Sequence, residues 1–181
     1  VTLGADEASA ALADIEAITR RVKQSAVYRV SGLILMGWGA LIVLGNLAEL
    51  FAGRWTGRVW IGLDLFGVSM TVALMARAIR GRSASWLPLQ AFALFFAFGL
   101  AWSGPLGKFG PREADAFWPM LFLFGYSLAG LFFGRAFIWL GVVLGALVLA
   151  GYLWAGESYN IYLAAVHGGG FILCGYWMRR A

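Results

Sequence analysis

Polar chemistry is scarce in this chain. It holds one cysteine, one histidine and four prolines, and only 13% of its residues are charged. The lone Cys174 rules out an internal disulfide and any cysteine-based metal spacing. With a single histidine, His167, no HExxH pair exists, and no phosphate-binding glycine loop, dinucleotide fingerprint or nucleophile elbow is present. Residues 1–24 carry Asp6, Glu7, Asp14 and Glu16 and lack a continuous apolar run. A cleavable signal peptide is therefore not expected, and the first membrane helix serves as the insertion signal.

What fills the chain instead is apolar: 61% of the residues are hydrophobic. A helix needs about 20 apolar residues to cross the hydrocarbon layer. Six stretches approach that length, at 28–50, 59–77, 86–104, 116–133, 136–155 and 160–178. The expected fold is an all-α integral membrane bundle of six helices (residues 28–181), preceded by an amphipathic cytoplasmic or interfacial helix (residues 1–27). Phe133-Gly134-Arg135-Ala136 leaves only a tight hairpin between the fourth and fifth stretches, and a glycine there makes it feasible. Trp118-Pro119 is expected to open the fourth helix, where proline is tolerated. In the N-terminal segment Ala8, Ala11, Leu12, Ile15, Ile18 and Val22 share one helical face, suited to lying on a leaflet, packing beneath the bundle or meeting a partner.

The net charge of +5 does not signal nucleic acid, because the basic residues flank apolar stretches rather than forming a stripe. They act as topology signals. With the N-terminus inside, Arg20, Arg21, Lys23, Arg29, Arg77, Arg80, Arg82, Arg135, Arg179 and Arg180 lie on the inner side, and only Arg54, Arg58, Lys108 and Arg112 on the outer. That bias predicts both termini in the cytoplasm of a cell (inner) membrane protein. Trp55, Trp60, Trp102, Trp118 and Trp154 would form the outer aromatic belt, and Trp86, Trp139 and Trp177 the inner one. Arg77, Arg80 and Arg82, joined by Arg135 and Arg180, are expected to bind anionic lipid head groups or an acidic protein partner.

A partial internal repeat is visible. Trp60, Phe66, Gly67, Ser69 and Arg77 align with Trp118, Phe124, Gly125, Ser127 and Arg135 at one offset, and Gly67, Met75 and Arg77 with Gly170, Met178 and Arg180 at another. It predicts three sequential helical hairpins in a pseudo-threefold arrangement. Gly130/Gly134 and Gly141/Gly145 have the spacing of close helix contacts, within one bundle or between copies of a homo-oligomer.

Two ionisable residues sit well inside apolar stretches: Asp64 in the second and His167 in the sixth. Such groups are expensive in a bilayer and face an interior partner or a wet cavity. The repeat places them at equivalent heights, so an Asp64–His167 pair is expected, completed by Asn46, Glu49 and Tyr126. It serves either as a structural hydrogen bond or as a proton or cation site. Gly168-Gly169-Gly170 beside His167 strips one face for a neighbouring helix, a local unwinding, or a flat cofactor such as haem ligated by His167. The expected function is a small transporter or ion- or proton-translocating protein. The alternatives are a non-catalytic subunit, scaffold or regulator of a larger membrane complex, and a haem- or quinone-linked redox protein; an enzyme is the less favoured class.

Overall fold

The computed structural model describes residues 5–79 and 87–180. They form seven α-helices: α1 (Ala5–Ala52), α2 (Thr56–Ile79), α3 (Leu87–Ala101), α4 (Pro111–Phe133), α5 (Arg135–Trp154), α6 (Tyr159–Leu163) and α7 (Gly169–Arg180). A 3₁₀ turn at Gly53–Trp55 joins α1 to α2, and another at Gly156–Ser158 leads into α6. Single π-helical turns close α3 (Trp102–Leu106) and join α6 to α7 (Ala164–Gly168). No strand occurs among the described residues. That is what a lipid environment demands, because helices satisfy their backbone polar groups internally.

Four stretches are long and apolar enough to cross a membrane: Val27–Ala78, Pro111–Phe133, Arg135–Trp154 and Gly156–Arg180. The first spans 52 residues and folds back on itself at Gly53, whose φ of 48° reverses the chain. The apolar helix at Gln90–Leu106 is shorter. The sequence expectation of six separate crossing helices thus meets four crossing-length stretches, one of them doubled, and one short helix. Leu131, Phe132, Trp154 and Leu173 are more than two-thirds exposed, an apolar outer surface compatible with membrane insertion.

Helix α1 runs unbroken through the expected boundary at residue 27. Its 48 residues, at 1.5 Å each, extend roughly 72 Å, more than twice the hydrocarbon thickness. Of the expected amphipathic face only the Ile15 side chain lies within the described set, and it is exposed; Ala8, Ala11, Leu12, Ile18 and Val22 lie outside it. Helix α4 begins at Pro111, so Pro119 stands inside it and not at its opening turn. At the tight hairpin Gly134 has a φ of 133°, and its N–H donates to Gly130 O.

The most extensive packing joins α1 to α7 and α4 to α5. On the first seam, a Cβ placed on Gly39 would stand 2.6 Å from the carbonyl oxygen of Gly168, and one placed on Gly168 3.0 Å from that of Gly39. On the second, a Cβ on Gly130 would stand 2.6 Å from the backbone nitrogen of Ile138. Contacts this close let backbones gain dispersion where lipid offers no hydrophobic drive. Leu35, Leu123, Leu163, Val148 and Met178 fill the centre, all nearly fully buried.

A recurring lock joins α1 to α2, α3 to α4, and α5 to the segment that carries α6 and α7. Trp60 of α2 covers Gly45 of α1, while Trp38 of α1 covers Gly67 of α2 and donates to Thr71 Oγ1 at 2.9 Å. Trp118 of α4 covers Gly99 of α3, while Phe95 covers Gly125. Tyr162 of α6 covers Gly151 of α5, while Leu144 covers Gly170 of α7. Each lock runs antiparallel, which gathers Glu49, Trp60, Arg112, Tyr152 and Asn160 at one end and Arg77, Arg135 and Arg180 at the other.

Candidate functional site

The helix ends that meet around Glu49 are polar. Glu49 occupies the last turn of α1, and its carboxylate accepts from the indole N–H of Trp60 on one oxygen and from Asn160 Nδ2 on the other. Three segments that cross the bundle are therefore held by one carboxylate. Charge-assisted bonds of this kind are about twice as strong as neutral ones.

Asp115, one turn into α4, is half-buried and lies within electrostatic reach of Glu49 and of Tyr159. It makes no hydrogen bond or ion pair with any described residue. Its main-chain carbonyl is also short of a donor, because the residue four positions on is Pro119, which has no N–H. Tyr159 is 3% exposed, and its hydroxyl has no hydrogen-bond partner. Arg112 supplies the one cation: Nη2 donates to Tyr152 O at 2.9 Å, and the guanidinium lies 5.4 Å from the Tyr152 ring centre and 5.8 Å from that of Tyr159. The two rings meet edge to face at 6.0 Å. Two carboxylates, one cation and an orphaned hydroxyl thus share a partly dry corner, which favours taking up one more positive charge.

The structure does not bring Asp64 and His167 together. Asp64 lies on the face of α2 that carries Trp60, Gly67 and Thr71, which packs on α1, and it makes no hydrogen bond among the described residues. His167 approaches α1 from another side, next to Gly168, which meets Gly39 and Val43. It is 5% exposed, its Nε2 has no hydrogen-bond partner, and its ring meets Phe171 edge to face at 4.7 Å. Tyr126 belongs to the same aromatic chain, 5.5 Å from Phe171 and stacked at 6.3 Å on Phe137. Asn46 is buried but donates to Ile42 O within its own helix, at 2.9 Å.

Of the expected site residues, then, Glu49 alone sits in the polar corner. Asp115, Arg112, Tyr159, Asn160 and Trp60 are its unforeseen members. Trp60 was visible in the sequence as a belt residue and Arg112 as an outer-side base, but nothing in their spacing marked them as neighbours of Glu49.

The glycine run beside His167 is taken up by packing. Gly168 receives α1, Gly170 receives Leu144, and only Gly169 faces open space. The run begins within the π turn Ala164–Gly168, a local distortion of the helix. No group of three or more His, Cys, Asp or Glu side chains suited to a metal occurs among the described residues. At the opposite end Arg77, Arg135 and Arg180 are exposed, with Arg180 4.3 Å from the Tyr176 ring centre; Arg80 and Arg82 lie outside the described residues.

Comparison of the chain with protein-family models, with curated proteins and with solved structures gives no match.

Proposed function

We propose that the chain is a six-pass membrane protein, with both termini in the cytoplasm, that binds and passes a cation or proton through a site at its outer end. One observation carries this reading: Glu49 and Asp115 share the corner with a buried, unpartnered Tyr159 hydroxyl, and the guanidinium in contact there, that of Arg112, is spent on the tyrosine rings and a main-chain carbonyl. Ionisable groups at membrane depth mark ion and proton pathways more often than they stabilise a fold. The site proposed from the sequence, Asp64 with His167, gives way to Glu49 with Asp115.

The three antiparallel locks support the hairpin repeat, because each pairs an aromatic or leucine side chain with a glycine in both directions across the segments it joins. Three hairpins give six passes, with the short α3 completed by its π turn. The basic end then faces the cytoplasm and anionic lipid, as the Lys and Arg distribution requires.

The test is reconstitution of the full chain in liposomes carrying an internal pH dye, with Na⁺ or K⁺ gradients imposed in turn. Wild type is expected to collapse one of these gradients, and Glu49→Gln or Asp115→Asn to lower the rate at least tenfold. Tight liposomes with wild type and variants alike would remove the reading.

A second reading, a subunit of a larger complex, is favoured by α1. About 22 of its residues precede Val27, which packs against the core, and at 1.5 Å each they extend roughly 33 Å. Recovery of a stoichiometric partner with the full chain, lost on removal of residues 1–22, would support it.

A further inference from the structure

Arg112 is bound in an unexpected way for a cation that shares Tyr159 with the Asp115 carboxylate. It forms no ion pair with Glu49 or Asp115 and lies instead against two tyrosine rings, with one hydrogen bond to a main-chain carbonyl. Capping the end of α5 explains that hydrogen bond. It does not explain why Asp115 is left without a partner or why the Tyr159 hydroxyl is buried without one.

The charged groups around the corner are few. Across this end the exposed Arg54, Arg58 and Lys108 stand against the exposed Glu113 and Glu157. At the tyrosine pair itself the carboxylates of Glu49 and Asp115 outnumber the one guanidinium in contact, that of Arg112. The free acceptors are a carboxylate, a phenol oxygen and the donor-poor Asp115 carbonyl, beside the two ring faces already turned to a guanidinium. A small metal ion would need a shell of converging oxygens. Flat ring faces next to a carboxylate suit an organic cation, the ligand that aromatic cages recognise.

An apolar groove of about 220 Å³ opens beside this corner, between α4 and α5. Tyr152 and Glu113 stand at its polar edge, and Phe117, Met120, Val148 and Leu149 line the rest. Tyr152 therefore belongs both to the cage and to the groove. A ligand with a cationic head at Tyr152 and Tyr159 could lay a short alkyl chain along it.

We infer that Arg112 occupies, as part of the chain itself, the seat of an alkyl-substituted organic cation, a guanidinium or ammonium compound, which must displace the Arg112 guanidinium to bind between Tyr152, Tyr159 and Asp115. This rests on the cation-site reading above and names its substrate class. Arg112 is then a built-in competitor that keeps the seat filled when no ligand is present.

The experiment is isothermal titration of butylguanidinium into the purified full chain in zwitterionic nanodiscs. Wild type is expected to bind weakly and saturably. Arg112→Gln, which keeps a donor for the Tyr152 carbonyl, is expected to bind at least tenfold tighter, and Asp115→Asn added to it to lose that gain. Methylguanidinium, without the alkyl chain, is expected to bind at least fivefold more weakly than butylguanidinium. Arg112→Gln binding no tighter than wild type, or binding indifferent to Asp115→Asn, overturns the inference and leaves Arg112 as a helix cap. If those results come with cation or proton flux that still depends on Glu49, the inference alone falls; if that flux is absent too, the cation-site reading falls with it.

Discussion

Gly32 and Gly175 meet backbone to backbone: a Cβ on Gly32 would stand 2.6 Å from the carbonyl oxygen of Gly175, and a Cβ on Gly175 2.5 Å from that of Gly32. With Gly39 of α1 and Gly168 of the π turn seven residues away, they make a seam whose four glycine positions have no room for a Cβ. Overpacking a site of this kind costs about 1–3 kcal/mol or more. Gly175→Val is therefore expected to lower the free energy of SDS-induced unfolding by at least that much. Gly169→Ala, where nothing lies within 4 Å, is expected to stay within about 0.5 kcal/mol of wild type. Equal effects at the two positions would mean that this seam does not hold the fold.

The Glu49 clasp predicts coupling between residues 111 positions apart. Hydrogen bonds to a charged group contribute about 1.5–3 kcal/mol. Glu49→Gln and Asn160→Ala should each destabilise the chain, and the double variant should cost less than the sum by about 0.5–3 kcal/mol. The cycle is read from unfolding midpoints in detergent micelles. Additive losses would show that Glu49 and Asn160 do not touch in the membrane-embedded protein.

Topology is open to labelling. In a background with Cys174 replaced, Arg54→Cys, Lys108→Cys and Glu157→Cys are expected to react with an impermeant maleimide from one face of intact cells. Arg77→Cys, Arg135→Cys and Arg180→Cys are expected to react only after the cells are opened. A site that labels from the wrong face removes the six-pass arrangement.

The apolar helices were legible because a bilayer imposes one simple rule, a run of about 20 apolar residues. The continuity of α1 was not, since counting such runs stops where Arg29 and Lys23 appear, and an α-helix does not. The α1–α7 glycine seam is not legible from GxxxG spacing, because it repeats every seven residues, at Gly32/Gly39 and Gly168/Gly175, and not every four. Asp64 and His167 were paired through an alignment of the helices, and equivalent positions in a repeat are related by rotation, not by contact. The polar corner draws Glu49, Asp115 and Asn160 from three distant stretches, and only the packing of their helices makes them neighbours.

The third lock differs from the other two in a way that bears on His167. Trp60 and Gly67 are seven residues apart, as are Trp118 and Gly125, but Tyr162 and Gly170 are eight apart, with the π turn Ala164–Gly168 between them. A π turn is an α-helix carrying one extra residue, a feature found mostly at functional sites. Here it holds a buried histidine whose Nε2 has no partner, an arrangement that itself costs about 1–3 kcal/mol in an apolar interior. If the extra residue serves function, the fold should not need it. Deleting Ala165, whose side chain is exposed, should restore the spacing of seven, and the unfolding free energy should stay within about 1 kcal/mol of wild type or rise. Flux through reconstituted protein should fall by at least tenfold, and His167→Leu should show the same split between intact stability and lost activity. A deletion variant that no longer folds would make the π turn a structural requirement of the bundle. One that folds and retains full flux would mean that neither the turn nor His167 takes part in what the protein does.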